Sequence, residues 1–291
     1  MKSHLCYLVC MGYYNPPRFR NIYLPGAKEP YNLSRSKIDS FVKCPRCFYL
    51  DRRLGVDQPP MPSFSLNDAV DVLLKKEFDI LRKSGQRHEL MEKYGINAVP
   101  LVHPELSDWR DDQRKFLGAN TLHKETNFRV SGIVDDVWVT PEGTFIIVDY
   151  KATSTAKEIS LEDEYKQGYK RQVELYQWIF RQKGFKVSDI AYFVFANAKK
   201  DNEKFDGQLE FAVNIIAHDG NDAWVEPTLQ KIYKCLNTEE IPPFSENCDY
   251  CKYRKFSRKL EIENEQNSAT AAELSKPALI KEEKLTKQPL F

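Results

Sequence analysis

The sequence predicts a single α/β or α+β domain. Three observations carry that expectation: helical apolar spacing opens the chain, strand patterning takes over at residues 127–152, and a long helix then precedes two more strands. A chain of 291 residues with 42% hydrophobic content can bury one large core or two modest ones.

The elements follow in order. "NLSRSKIDSFVKCPRCFYLDRRLG" offers Ser34 as a helix N-cap, an apolar spacing at Ile38, Phe41 and Val42, and Gly55 as the stop. Pro45 should interrupt it, because proline lacks the N–H and clashes with the preceding turn. "SLNDAVDVLLKKEFDILRKSG" predicts a second helix with Leu66, Val70, Leu73, Leu74, Phe78 and Leu81 on one face. Residues 86–126 show no clear period. "NFRVSGIVDDVWV" and "TFIIVDYKA" read as the arms of one β-hairpin around "TPEG". "LEDEYKQGYKRQVELYQWIFRQKG" is an amphipathic helix closed by Gly184. "DIAYFVFANA" and "QLEFAVNII" are strands, "NDAWVEPTLQKIYKCLN" is a helix, and "IPPFSENCDYCKYRKF" is a turn-rich knuckle. The expected boundaries are an N-terminal extension over 1–30, one domain over 31–258 and a disordered tail over 259–291, where charge is high and aromatics are scarce.

Charge narrows the partner classes little. The chain carries 43 basic and 42 acidic residues, so a nucleic-acid partner requires a local basic groove rather than a basic total. Seven cysteines without a signal-peptide pattern point to a reducing cytoplasm. The opening "LCYLVCMG" is too short to span a bilayer, and Cys6 and Cys10 read as plain thiols.

The chemistry concentrates on "GIVDD" and "FIIVDYK". Along a strand the side-chain period is two, so Asp149 and Lys151 share one face, and the hairpin turn can bring Asp135 level with Asp149. Two carboxylates and a backbone carbonyl form an oxygen-rich site of the kind Mg²⁺ or Mn²⁺ accepts. A neighbouring lysine suits phosphodiester cleavage, since it can orient water or stabilise developing negative charge. A surface Asp–Lys pair can equally be a solvated cross-strand contact, and Asp136 is read that way.

These residues resemble the PD-(D/E)XK nuclease superfamily, and within it the RecB-like branch that includes the CRISPR-adaptation exonucleases and the AddB nuclease domain. "GIVD" (Gly132 to Asp135) is similar to the branch's G-x-x-D, "DYK" (Asp149 to Lys151) to its D-x-K, and Gln172 with Tyr176 to its Q-x-x-x-Y. "LSRSKIDSFVKCPRCFYL" is similar to its N-terminal cysteine-bearing helix. The resemblance implies an α/β, restriction-endonuclease-like core with a mixed central β-sheet flanked by helices. It implies Asp135 and Asp149 as ligands of a catalytic Mg²⁺ or Mn²⁺, Lys151 as the catalytic base or charge stabiliser, and Gln172 and Tyr176 as positioning groups. The branch usually places a His ligand on the second helix; here Asp71 stands in that slot, beside Asp68, and becomes a candidate ligand. Tyr165, Tyr169, Tyr176 and Phe180 also form an aromatic stripe, a pattern that packs cores more often than it builds sites.

"KCPRC" and "NCDYC" give two C-x-x-C pairs, Cys44/Cys47 and Cys248/Cys251, a spacing that lets four thiolates grip one metal. Some RecB-like nucleases hold a 4Fe–4S cluster through one N-terminal and three C-terminal cysteines. This chain has two of each, so Zn²⁺ and a cluster both stay open, in either case as a staple. Cys235 reads as buried.

Arg35, Lys37, Arg46, Arg52, Arg53, Lys166, Lys170 and Arg171 could track a DNA backbone. The terminal "KQPLF" resembles peptides that dock on a sliding clamp, and a helicase is a further partner that the resemblance implies. The function expected is divalent-metal-dependent DNA hydrolysis, by an exonuclease or single-strand-directed nuclease, in repair, recombination or CRISPR adaptation. The alternative is an inactive RecB-like DNA-binding or scaffold module.

Overall fold

The computed structural model describes residues 17–60, 64–110 and 118–274. The chain divides into two compact units, Met1–Phe244 and Ser245–Phe291.

In the first unit, strand β1 (Tyr31–Ser34) leads into helices α1 (Arg35–Lys43) and α2 (Pro45–Leu54). The residue before a proline is pushed out of the helical region, and Cys44 is extended at φ −158°, ψ 103°. Pro45 then opens α2, where its missing N–H is no loss. Gly55 ends α2 in the left-handed conformation, at φ 75°. Helix α3 (Ser65–Ser84) buries Leu74 and Phe78, but Leu66 and Leu73 of its predicted apolar face are exposed. The buried row runs through Leu74 and Phe78, and residues 66 and 73 lie off it around the helix.

The stretch without a clear period holds short elements: α4 (Glu89–Lys93), β2 (Val99–Pro100), α5 (Leu106–Arg110) and β3 (Ala119–His123). Two to five residues are too few to establish a period, which is why sequence patterning passes over them.

The predicted first hairpin arm is two strands. β4 (Phe128–Gly132) pairs in a three-stranded sheet of order β1-β4-β3, and β5 (Asp136–Val139) pairs with β6 (Phe145–Thr153) in a second sheet. The break at residues 133–135 lets one run of sequence serve both sheets. A 3₁₀ turn (Glu164–Lys166) opens α6 (Gln167–Gln182), which buries every residue from Gln172 to Phe180. It is therefore a central helix more than an amphipathic one. Strands β7 (Ile190–Ala198) and β8 (Phe211–Asp219) follow, then α7 (Val225–Leu236) with Pro227 in its first turn.

The larger sheet runs β2-β5-β6-β7-β8, with β6 and β7 parallel and the other pairs antiparallel. Its two faces follow the period of β6. Phe145 and Ile147 pack with Leu175 and Ile179 of α6, whereas Ile146, Val148 and Tyr150 pack with Leu74 and Phe78 of α3. This is the expected α/β architecture, a mixed sheet flanked by helices. Burial on both faces explains why β6 opens as an unbroken apolar run.

In the second unit, α8 (Asp249–Leu274) takes over directly after Cys248. The knuckle reading thus holds only as far as that cysteine. The helix continues through 259–274, the first part of the stretch expected to be disordered; residues 249–274 contain neither Gly nor Pro to stop it. The clamp-like "KQPLF", like Cys6 and Cys10, lies outside the described residues. Among the described residues no helix is long and apolar enough to cross a membrane.

Candidate active site

The β5–β6 register sets Asp136 opposite Val148, so the next step along the two chains brings Asp135 level with Asp149. Asp135 falls in the break before β5, and its Oδ2 accepts the Tyr150 backbone N–H at 2.9 Å. Asp149 is fully buried. Its Oδ1 accepts from Gln172 Nε2 at 2.7 Å, and its Oδ2 faces the Lys151 ammonium as an ion pair. Gln172 Nε2 also lies 3.2 Å from the Tyr176 hydroxyl. A Cβ at residue 132 would strike the Tyr176 ring, so β4 can lie this close to α6 only as glycine. That contact gives the first position of "GIVD" a packing reason.

Asp71 reaches the same place from α3. Its Oδ2 is 2.7 Å from Lys75 Nζ, which also lies 3.3 Å from Asp135 Oδ1. An open pocket of about 410 Å³ is lined by Asp71, Asp135, Lys151 and Gln172, together with Arg35, Asp68 and Tyr169. Asp71, Asp135, Asp149, Lys151, Gln172 and Tyr176 are therefore brought together from three separate elements and the strand break.

The electrostatics follow from burial. Burial pushes the Asp149 carboxyl up to about 7, with Lys151 drawing it down and Asp135 adding to the rise. Burial also disfavours the Lys151 cation, but Asp149 and Asp135 outweigh it and raise its pKa. These two directions compete for one proton. The ion-pair contact of Nζ with Oδ2 favours leaving it on nitrogen. Burial and then Asp135 raise Asp71, against the pull of Lys75. Burial works against the charge of Lys75, and Asp135 and Asp71 overcome it.

The residues fit a hard divalent cation. Asp149 Oδ2 is buried and meets only the Lys151 ammonium among the described residues, and Asp135 Oδ1 meets only that of Lys75. Oxygen donors held rigidly on one side and neutralised by lysines on the other are what Mg²⁺ or Mn²⁺ would take.

Asp136 corrects the solvated reading. It is fully buried, and its carboxylate accepts from Arg82 at 2.6 Å, from the Tyr150 hydroxyl at 2.8 Å and from the Val137 N–H at 2.8 Å. The aromatic stripe also divides. Tyr176 and Phe180 are buried, Tyr169 lines the pocket with Lys151 over its ring at 4.8 Å, and Tyr165 is exposed at the rim.

Of the basic residues singled out, Arg35 lines the pocket. Lys37 pairs with Asp51 and Asp57, Arg52 is buried against Asp51, Arg53 pairs with Glu239, and Lys166, Lys170 and Arg171 pair with Asp163, Glu162 and Asp39. Sequence reading missed Lys43, which lines the pocket, and Lys75. The signal for Lys75 was its place four residues after Asp71 on a helix.

Cys44 and Cys47 stand at the head of α2, and Cys248 and Cys251 at the head of α8. Each pair, one in the first unit and one in the second, keeps the two-thiol spacing that suits zinc or an iron–sulfur cluster. Cys235, half-buried on α7, has its thiol pushed up to about 11 by burial.

No curated protein matches the chain. Among solved structures, that of SSO0001 is similar at 17% identity with a TM-score of 0.37, over 74% of this chain and 81% of that one. The family model of the PD-(D/E)XK nuclease superfamily, whose chemistry is metal-dependent nucleic-acid hydrolysis, matches residues 32–256. With Asp135 and Lys151 lining one pocket within that span and Asp149 buried against Lys151, the chain belongs to the PD-(D/E)XK nuclease superfamily.

Proposed function

We propose that the protein is a Mg²⁺- or Mn²⁺-dependent deoxyribonuclease of the RecB-like branch, acting as an exonuclease or on single strands in repair, recombination or CRISPR adaptation. The observation that carries the reading is the pairing of Asp135 with Asp149 across β5–β6, with Lys151 and Gln172 on the buried carboxylate.

A bound divalent ion would supply Lewis-acid stabilisation and a more acidic water. Asp135 and Asp149 would hold it, with Asp71 completing the set. The chain's own part is positional. The Tyr150 N–H and the Gln172 amide each fix one oxygen of a carboxylate, and the other oxygen would be the one to hold the cation. Tyr176 braces Gln172, and Lys151 stands ready to orient water or meet charge developing on the phosphoryl oxygens. Tyr165 and Tyr169 meet edge to face at the rim, 6.3 Å between ring centres. Aromatic faces there suit unpaired bases, which favours single-stranded substrate. The four cysteines are proposed as a structural site for zinc or an iron–sulfur cluster.

The test is cleavage of end-labelled single- and double-stranded DNA with Mn²⁺, comparing the unaltered protein with Lys151→Ala. Metal-dependent cleavage that falls by about 10²-fold or more in the variant is expected. Equal cleavage by both would remove Lys151 from the chemistry. Tight DNA binding without metal, and no cleavage by the unaltered protein, would instead favour the inactive module.

A further inference from the structure

Two carboxylates of the site, Asp135 and Asp149, share one pattern. Asp135 gives Oδ2 to a backbone N–H and Oδ1 to Lys75, while Asp149 gives Oδ1 to an amide and Oδ2 to Lys151. One oxygen of each is held by the scaffold, and the other by an ammonium. Lys151 belongs to the D-x-K motif, but nothing in the motifs accounts for Lys75.

We propose that Lys75 is a second working cation of this site: it bridges Asp71 and Asp135 until the divalent ion takes those oxygens, and its released ammonium then turns to the substrate phosphate. The inference rests on the nuclease reading and extends it to phosphate binding.

Formal charge supports the exchange. Three carboxylates (Asp71, Asp135, Asp149) against two ammonium groups leave the site with one negative charge. A divalent ion converts that to one positive charge, which matches the single negative charge of a phosphodiester. Without Lys75 the same ion would only neutralise these three carboxylates and Lys151, and the phosphate would be left to Arg35 on the pocket wall. Reach supports it too. Lysine is a flexible stem with a rotatable charged end, its side chain here is 21% exposed, and it lies beside Asp71 and Asp135, both of which line the open pocket. It can swing without moving α3. An ordinary helix pair at i,i+4 is a surface contact worth a few tenths of a kcal/mol. Lys75 differs because it is largely covered and joins carboxylates from two elements.

The experiment measures Mn²⁺ binding to the protein without DNA, by the loss of free-ion paramagnetic resonance signal, and single-turnover cleavage of single-stranded DNA at saturating Mn²⁺. The unaltered protein, Lys75→Met and Lys75→Arg are compared, with circular dichroism confirming that each folds. Lys75→Met is expected to bind Mn²⁺ about tenfold more tightly, because a competing positive charge is gone. Its cleavage is expected to fall about 10²-fold, because the phosphate has lost a partner. Lys75→Arg keeps the charge and should recover both properties in part. Mn²⁺ affinity unchanged or weakened in Lys75→Met would overturn the proposal, as would tighter binding with undiminished cleavage. An unaltered protein that neither binds Mn²⁺ nor cleaves DNA would instead sink the nuclease reading beneath it.

Discussion

Asp135 and Asp136 are neighbours with opposite fates. The first faces the pocket and accepts the Tyr150 N–H; the second is sealed among Arg82, the Tyr150 hydroxyl and the Val137 N–H. Both touch Tyr150, one at its backbone and one at its ring, so the two carboxylates hold the residue between Asp149 and Lys151 from two sides. Burial, then Asp136, drives the Tyr150 pKa well above its usual value, which keeps the phenol a donor. Asp136→Ala would leave Arg82 to pair with Asp79 alone among the described residues, and would take the acceptor from the buried Tyr150 hydroxyl and the Val137 N–H. Because breaking one side of a buried pair costs about 3–5 kcal/mol, urea titration should find that loss in unfolding free energy. A variant within experimental error of the unaltered protein would mean that water replaces the carboxylate. At Gly132 the effect should fall on activity. Gly132→Ala pushes the Tyr176 ring and, through it, Gln172, and a small misplacement of a positioned group costs about 10²-fold in rate. Single-turnover cleavage with Mn²⁺ would measure it.

At the scale of elements, α6 is the part that serves most neighbours. Gln172 and Tyr176 reach the site, while Glu174 accepts from the Trp224 indole N–H at 2.7 Å and pairs with His218 of β8 at 2.9 Å. Burial of Glu174 opposes its charge, but His218, Trp224 and the Asn221 N–H outweigh it and hold its pKa below the usual 4.5. A carboxylate with a depressed native pKa contributes stability that is present above its unfolded pKa and lost as pH falls through the native one. Stability should therefore decline with acidification below about pH 4.5, and Glu174→Gln should be less stable at neutral pH with a flatter decline there. Thermal melts of both proteins across that range would test this; parallel curves would count against Glu174 as a contributor.

At the scale of the whole molecule, the chemistry needs a sheet buried on both faces. Apolar residues of β6 are covered by α3 on one side and α6 on the other, so its carboxylate arrives at the pocket desolvated and braced. The cysteines concern the chain at the same scale, since their two pairs are nearly two hundred residues apart in sequence. Purified protein should carry zinc or iron, as read by elemental analysis. Removing it with a chelator, or substituting Cys44→Ser, should lower the melting temperature by several degrees, as expected for about 1–2 kcal/mol in a protein of this size. Metal-free protein with an unchanged melting temperature would leave the four thiols without a structural role.

The sequence by itself determined the long elements and the motif chemistry. α3, α6, β6, β7 and β8 announce themselves through periodicity, and the Asp–Lys spacing on a strand places both on one face without knowledge of anything else. Only the tertiary structure decided the break that hands β4 and β5 to different sheets, the burial of Asp136 and the arrival of Lys75 at Asp135. The physical reason is one of range. A strand's period states which side chains share a face, but not which face is covered. Covering β6 on both sides took helices that lie some seventy residues before it and twenty after it, and those partners turned one aspartate into a pocket wall and its neighbour into core.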